Sequence, residues 1–261
     1  MNLGLDRKTA FVVGGGSGLG RAVALALAAE GAKVVAAGRR VEAVDETAEA
    51  IADAGGAGIG VHLDLADAES LEAALDAARS RFGEIDVLFN SSGGPPPTTA
   101  AGQPPELWAQ HFNAMVLGVI RLTDLVLPAM RDRRFGRIVT NTSSGVIAPI
   151  PNLGLSNALR LALVGWSKTL AREIAPFGVT VNVVVPGRIA TGRIRELDEA
   201  RATREGATVA DVERSSLASI PVGRYGEPAE YAAAVAFLAG TQAGYITGSV
   251  IRVDGGAIPS I

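Results

Sequence analysis

The short apolar run Ala10-Phe11-Val12-Val13 passes without a break into Gly14-Gly15-Gly16-Ser17-Gly18-Leu19-Gly20, and an Ala/Leu-rich segment over residues 21–30 follows at once. Aromatic and β-branched residues bounded by glycine read as a buried strand, and the segment behind them reads as a helix. Glycine loses more backbone freedom on folding than any other residue. A cluster of this density is therefore expected only where the chain must turn sharply or come close to another group. A helix that starts directly behind such a turn presents free N–H groups and a positive dipole end to an anion. Glycines alone would also allow a tight turn that binds nothing. Strand, glycines and helix together favour a phosphate-binding turn.

The same alternation continues along the chain. Strands are predicted over residues 10–13, 33–37, 58–63, 85–89, 137–142, 179–185 and 250–253, and helices over 21–30, 41–54, 67–81, 105–130, 152–175 and 228–239. Strands that are apolar on both faces and alternate with helices imply a parallel sheet covered on both sides. The expected fold class is α/β, a doubly wound parallel sheet of the Rossmann type with about seven strands. No linker or break in composition divides the 261 residues, so one domain is expected, with an insertion at about 188–220. Ligands of such sheets bind beyond the carboxyl ends of the strands.

Composition narrows the chemistry. There is no cysteine and only two histidines, His62 and His111, so thiolate sites, disulfides and a transition-metal centre are not expected. A net charge of -3 argues against nucleic acid as a partner. No apolar core follows the charges of the first eight residues, so no secretory signal is expected. No uncharged apolar stretch reaches the roughly 20 residues of a membrane span, and a cytoplasmic protein with no membrane partner is expected.

Gly14, Gly18 and Gly20 follow the spacing Gly-x-x-x-Gly-x-Gly rather than the commoner Gly-x-Gly-x-x-Gly. With this spacing the chain resembles the short-chain dehydrogenase/reductase family over essentially its whole length, although Val13 stands where that family usually has Thr. Further matches occur in order. Asp64, followed by Leu65, matches the acidic residue that contacts adenine, and Asn90-Ser91-Ser92-Gly93 stands at the place of Asn-Asn-Ala-Gly. Asn113 matches the Asn that holds a water in the family's proton relay. Pro186-Gly187, Ile189 and Thr191 resemble the Pro-Gly-x-x-x-Thr beside the nicotinamide, and Val253-Asp254-Gly255-Gly256 is similar to the ending of bacterial carbonyl reductases. The resemblance implies a dinucleotide held by Gly14, Gly16, Ser17, Gly18, Leu19 and Gly20 together with these residues. It also implies a homotetramer, or failing that a dimer, built on the two long helices, which carry more apolar surface than one sheet face needs.

The end of the second strand bears on which dinucleotide. An acidic residue there bonds the ribose 2′-OH of NAD, whereas arginine suits the 2′-phosphate of NADP. Gly38 occupies the acidic position, and Arg39 and Arg40 follow it. NADP(H) is expected first and NAD(H) second, unless both arginines are merely solvated.

Members of the family use Ser, Tyr and Lys, the last two as Tyr-x-x-x-Lys. Here Ser143 supplies the serine, and counting back from Gly165-Trp166-Ser167-Lys168 puts Ser156 at the Tyr position and Arg160 at the Lys position. A serine hydroxyl is a far weaker acid than a phenol, whose pKa is about 10. Arginine can still bond a ribose but cannot relay a proton. The three tyrosines, Tyr225, Tyr231 and Tyr245, all follow the insertion. Asn113, Ser143, Ser156 and Arg160 are thus the expected catalytic group, with Arg160 also on the cofactor and no metal. The resemblance implies an oxidoreductase acting on a small carbonyl or acyl substrate, with 3-oxoacyl compounds among the candidates, and an altered proton donor. A dinucleotide-binding sensor or inactive partner subunit, and a lyase or isomerase on the same scaffold, are the other readings. The stiff Gly93-Gly94-Pro95-Pro96-Pro97 loop is expected to line the pocket, and Arg193, Arg195, Arg201 and Arg204 offer cationic positions that an anionic or carrier-linked substrate would favour.

Overall fold

A computed structural model describes residues 2–261. Seven strands form one sheet: β1 (Thr9–Val13), β2 (Lys33–Gly38), β3 (Ala57–His62), β4 (Val87–Asn90), β5 (Gly136–Asn141), β6 (Val179–Pro186) and β7 (Val250–Val253). Their order is β3-β2-β1-β4-β5-β6-β7, and every neighbouring pair is parallel. The chain works outward from β1 to β3 and then restarts at β4 on the other side of β1. The loops after β1 and β4 therefore diverge and leave a crevice between them.

Period-two alternation divides the strand residues between two cores. Phe11, Val13, Val35 and Ala37 face the helices α3 (Ala68–Phe82), α5 (Gly118–Asp132) and α6 (Gly154–Ile174), through Leu75, Leu122 and Leu163 among others. Ala10, Val12 and Val34 face α1 (Gly18–Ala29), α2 (Val41–Asp53) and α9 (Pro228–Ala239), through Leu27, Ile51 and Val235. Each fully buried aliphatic or Phe side chain contributes about 1.5–3 kcal/mol, so the two layers together drive the fold.

The expected helix over 105–130 is not regular. It consists of α4 (Pro105–Phe112), a π-helical turn at Asn113–Leu117 and α5. Among the described residues this run, Pro105–Asp132, is the one helix long and apolar enough to cross a membrane by length and composition. It carries Arg121 and Asp124 within that stretch, and Val119, Leu122, Val126 and Met130 bury it against the sheet. Gly118 allows the close approach, because a Cβ there would land on the Leu65 carbonyl. The segment over 188–219 folds into two helices, α7 (Gly192–Glu205) and α8 (Val209–Ala218). α7 stops at Gly206, which adopts φ +62°, and Thr208 caps α8 by accepting from the Asp211 amide at 3.2 Å.

Candidate active site

A cleft of about 940 Å³ runs along the carboxyl ends of β1, β4, β5 and β6 and beneath α7. Its floor at one end is the glycine turn. The Gly14 and Gly15 amides donate to the Ala37 carbonyl at 2.8 and 3.1 Å, which fastens the turn to β2. Gly14 has φ +74°, a conformation costly for other residues, and a Cβ on Gly20 would collide with the Gly14 carbonyl. Ser17 starts α1 without capping it, so the first N–H groups of the helix remain available to an anion. The Ser17 hydroxyl instead accepts from Arg40 Nη2 at 3.0 Å. No acidic side chain stands at the end of β2, and Arg40 reaches over the rim where a 2′-phosphate would lie. The residues present fit an NADP-type dinucleotide.

At the other end β5 delivers Ser143 and α6 delivers Ser156 and Arg160. Ser143 Oγ accepts from the Gly145 amide at 3.1 Å, and Ser156 Oγ accepts from Arg160 Nε at 3.3 Å. Each hydroxyl thus keeps its own proton for the cleft. Arg160 is buried and also donates to the Asn141 carbonyl at 3.4 Å and to the Gly93 carbonyl. Burial, reinforced by the nearby charge of Arg193, pushes its pKa down to about 10, so it stays a cation at neutral pH.

Of the expected cofactor and catalytic residues, the cleft brings together Gly14, Ser17, Gly18, Leu19, Gly20, Arg40, Ser91, Gly93, Ser143, Ser156, Arg160, Pro186, Gly187, Ile189 and Thr191. Others do not line it. The Asn113 side-chain amide donates to the Ala66 carbonyl at 3.1 Å and accepts from Arg121 at 3.4 Å, which ties the helix to the turn after β3. The buried positions of that π turn are apolar, Met115 and Val116. Arg39 and Arg40 are both exposed, and of the two only Arg40 lines the cleft. Asp64 Oδ1 accepts from the Ala66 amide of its own loop, Leu65 is buried, and Gly16 packs against Ala43. Asn90 donates to Thr123 Oγ1 at 3.5 Å, and Ser92 Oγ is buried without a partner.

Of the expected cationic positions Arg193 matters most here, and Asn141 and Tyr231 join it without having been expected. Arg193 on α7 lines the cleft and donates to the Pro95 carbonyl at 2.9 Å. Asn141 holds the cleft floor: its Nδ2 donates to Ser91 Oγ at 3.2 Å, and its Oδ1 accepts from the Tyr231 hydroxyl at 2.8 Å. Tyr231 is fully buried on α9, and burial raises its pKa, so it is a structural donor rather than a substitute acid. α7 is held from below by Asp198, which accepts from Arg188 at 2.6 Å and from the Tyr225 hydroxyl at 2.8 Å.

A glycine turn at the switch of a doubly wound sheet, continuous with a cluster of hydroxyls and one cation, defines a dinucleotide-binding α/β protein of the oxidoreductase class. The chain belongs to the short-chain dehydrogenase/reductase family. A family model described as Enoyl-(Acyl carrier protein) reductase matches residues 14–257. The 3-oxoacyl-[acyl-carrier-protein] reductase FabG of Escherichia coli is 39% identical over 257 residues, 97% of this chain and 98% of that protein. The short-chain reductase NovJ of Streptomyces niveus is 36% identical over 253 residues, 96% of this chain and 94% of that one. Among solved structures, the L-sorbose reductase of Gluconobacter frateurii, complexed with NADPH and L-sorbose, superposes with a TM-score of 0.93 at 30% identity, covering 100% of both chains. An actinorhodin polyketide ketoreductase with NADPH gives 0.92 at 32% identity, covering 96% of this chain and 97% of that one.

Tyr231→Phe removes the sole donor to Asn141 Oδ1 and leaves that oxygen buried and unpaired. The expected loss is about 1–3 kcal/mol of stability, read from the denaturant midpoint at unchanged slope.

Proposed function

We propose that this chain is an NADP(H)-dependent oxidoreductase that interconverts a carbonyl and an alcohol, with hydroxyl groups and a buried guanidinium where its relatives' motif has a phenol and an ammonium. The observation that carries this reading is the continuity of one cleft from the glycine turn and Arg40 to Ser143, Ser156 and Arg160. The glycine turn would hold the pyrophosphate, Arg40 the 2′-phosphate, and Pro186, Gly187, Ile189 and Thr191 the nicotinamide side. The dinucleotide, when bound, supplies or accepts hydride.

The chain's own part is to hold the substrate oxygen. Ser143 and Ser156 donate to it, and Arg160 both polarises the Ser156 hydroxyl and stabilises negative charge as it develops. Because the serine hydroxyl is a weak acid and Arg160 keeps its proton, water delivers the final proton. Losing a positioned general acid forfeits roughly 10²–10⁴ in rate, so carbonyl reduction is slow on simple ketones. A 3-oxoacyl compound is one substrate that fits the relatives' names. We also propose a homotetramer, with a dimer second: Phe112 on α4 and Leu161 on α6 are 39% and 53% exposed, apolar positions on the two helices expected to pair.

Three measurements check this reading. In light scattering at micromolar concentration the protein should run as a tetramer, and a monomer would remove the assembly. Arg40→Met should erase the preference for NADPH over NADH by at least about ten-fold, the value of one charge-assisted hydrogen bond, in calorimetric titrations. Ser156→Tyr with Arg160→Lys should raise NADPH-dependent reduction of an activated ketone at least about ten-fold, a conservative share of general-acid catalysis. A folded double variant that binds NADPH without any gain would favour dinucleotide binding without the redox step.

A further inference from the structure

The cleft is lined by six arginines, Arg40, Arg160, Arg188, Arg193, Arg201 and Arg204, and by two acids, Glu196 and Glu205. Most of these cations are accounted for. Arg188 pairs with buried Asp198, Arg201 and Arg204 share Glu205 at 3.0 and 3.3 Å, and Arg40 belongs to the glycine-turn end. Arg193 and Arg160 remain, both at the Ser143 end.

Arg193 has Glu196 at 3.4 Å, but that carboxylate is 68% exposed and the pair is worth little in water. Arg160 has no carboxylate partner at all among the described residues, although it is buried. Its N–H groups meet only neutral oxygens, those of Ser156, Asn141 and Gly93. A guanidinium carries five N–H donors, so part of its capacity is unspent. An unpaired buried cation is costly, and a second cation facing it adds to the cost. The two guanidinium groups flank Gly94. The position a Cβ would take there is 3.4 Å from Arg160 Nη2 and 3.5 Å from Arg193 Nη2. The missing side chain keeps the space between them open.

We propose that this space receives the carboxylate of the substrate, so that the enzyme acts on a short oxo acid whose acid group lies between Arg160 and Arg193 and whose carbonyl meets Ser143 and Ser156. A planar carboxylate matches the guanidinium fork and neutralises a buried charge that faces the cleft with no carboxylate beside it. The short distance from Arg160 to Ser156 sets the carbonyl close to the acid group, as in a 2-oxo or 3-oxo acid. This inference rests on the reductase reading, because it takes the Ser143 end of the cleft as the substrate end.

The test uses 2-oxo-4-phenylbutanoate and its ethyl ester, which share a carbonyl and differ in the anion. Both are titrated by calorimetry into protein saturated with NADP⁺ and assayed for NADPH oxidation. The acid is expected to bind at least about ten-fold tighter than the ester, as charge-assisted hydrogen bonds require. Arg193→Gln should abolish most of that preference. Gly94→Ala should do the same with both arginines in place, since its methyl group fills the gap at ordinary contact distance. Equal binding of acid and ester, or a preference that survives both substitutions, overturns the proposal. So does an Arg193→Gln protein that loses NADP⁺ affinity as strongly as acid affinity, because Arg193 would then serve the cofactor. Reduction of the ester with no advantage for the acid sinks the anion site and leaves the reductase reading standing. An acid preference with neither compound reduced does the reverse.

Discussion

The close approach of Gly20 to the Gly14 carbonyl fixes where everything else in this molecule can lie. The first turn of α1 passes so near the end of β1 that no side chain fits between them. That contact lets α1 lie flat on the sheet and bury Val23, Ala24 and Leu27 against β1 and β2. It also aims the uncapped start of the helix at the crevice where strand order reverses. One steric condition thus sets both the packing of the second core and the position of an anion site. A methyl group at residue 20 would disturb the two together.

At the far end the cleft is organised by backbone oxygens rather than by acids. Arg160 is held by the carbonyls of Gly93 and Asn141, and Arg193 by that of Pro95, so the stiff loop after β4 is gripped from α6 and from α7 at once. The same device recurs at the opposite, amino-terminal end of the strands. There buried Arg137 donates to the carbonyls of Gly240, Gly136 and Gly178 and lies over the Phe135 ring. Carbonyl dipoles can solvate a guanidinium, but they do not cancel its charge. At Arg137 the charge ties strand ends together; at Arg160 it faces a cavity.

Much of this was legible in the sequence. Runs such as Val34–Ala37 and Val183–Val185, apolar on both faces, imply a covered parallel sheet, and the glycine turn marks its first crossover. Ser143, Ser156 and Arg160 were also readable as one group from the sequence, and the cleft brings the three together. What escaped depends on geometry that spacing does not encode. The π turn that Asn113 begins, which rotates the helix relative to a regular run, has no signature in the apolar spacing, and neither does the bond from its side chain to Ala66. Arg39 and Arg40 are neighbours in sequence, and of the two only Arg40 lines the cleft and bonds Ser17. Tyr231 meets Asn141 across 90 positions, and Arg193 meets Pro95 across 98, contacts without a local signal. The insertion looked merely charged and Ala-rich, but Gly206 and Thr208 at its centre are a helix stop and a cap.

Arginine, serine and glycine dominate the lining of the cleft, which among the described residues includes no histidine, cysteine, lysine or tyrosine. Its only carboxylates are Glu196 and Glu205, and the guanidinium groups of Arg201 and Arg204 hold Glu205 below the ordinary carboxylate range. Six arginines against two carboxylates leave the wall with a net positive charge. The cleft presents a positive field to whatever enters it. In that respect the pocket behaves as a charge filter, selecting its guests by the charge they arrive with.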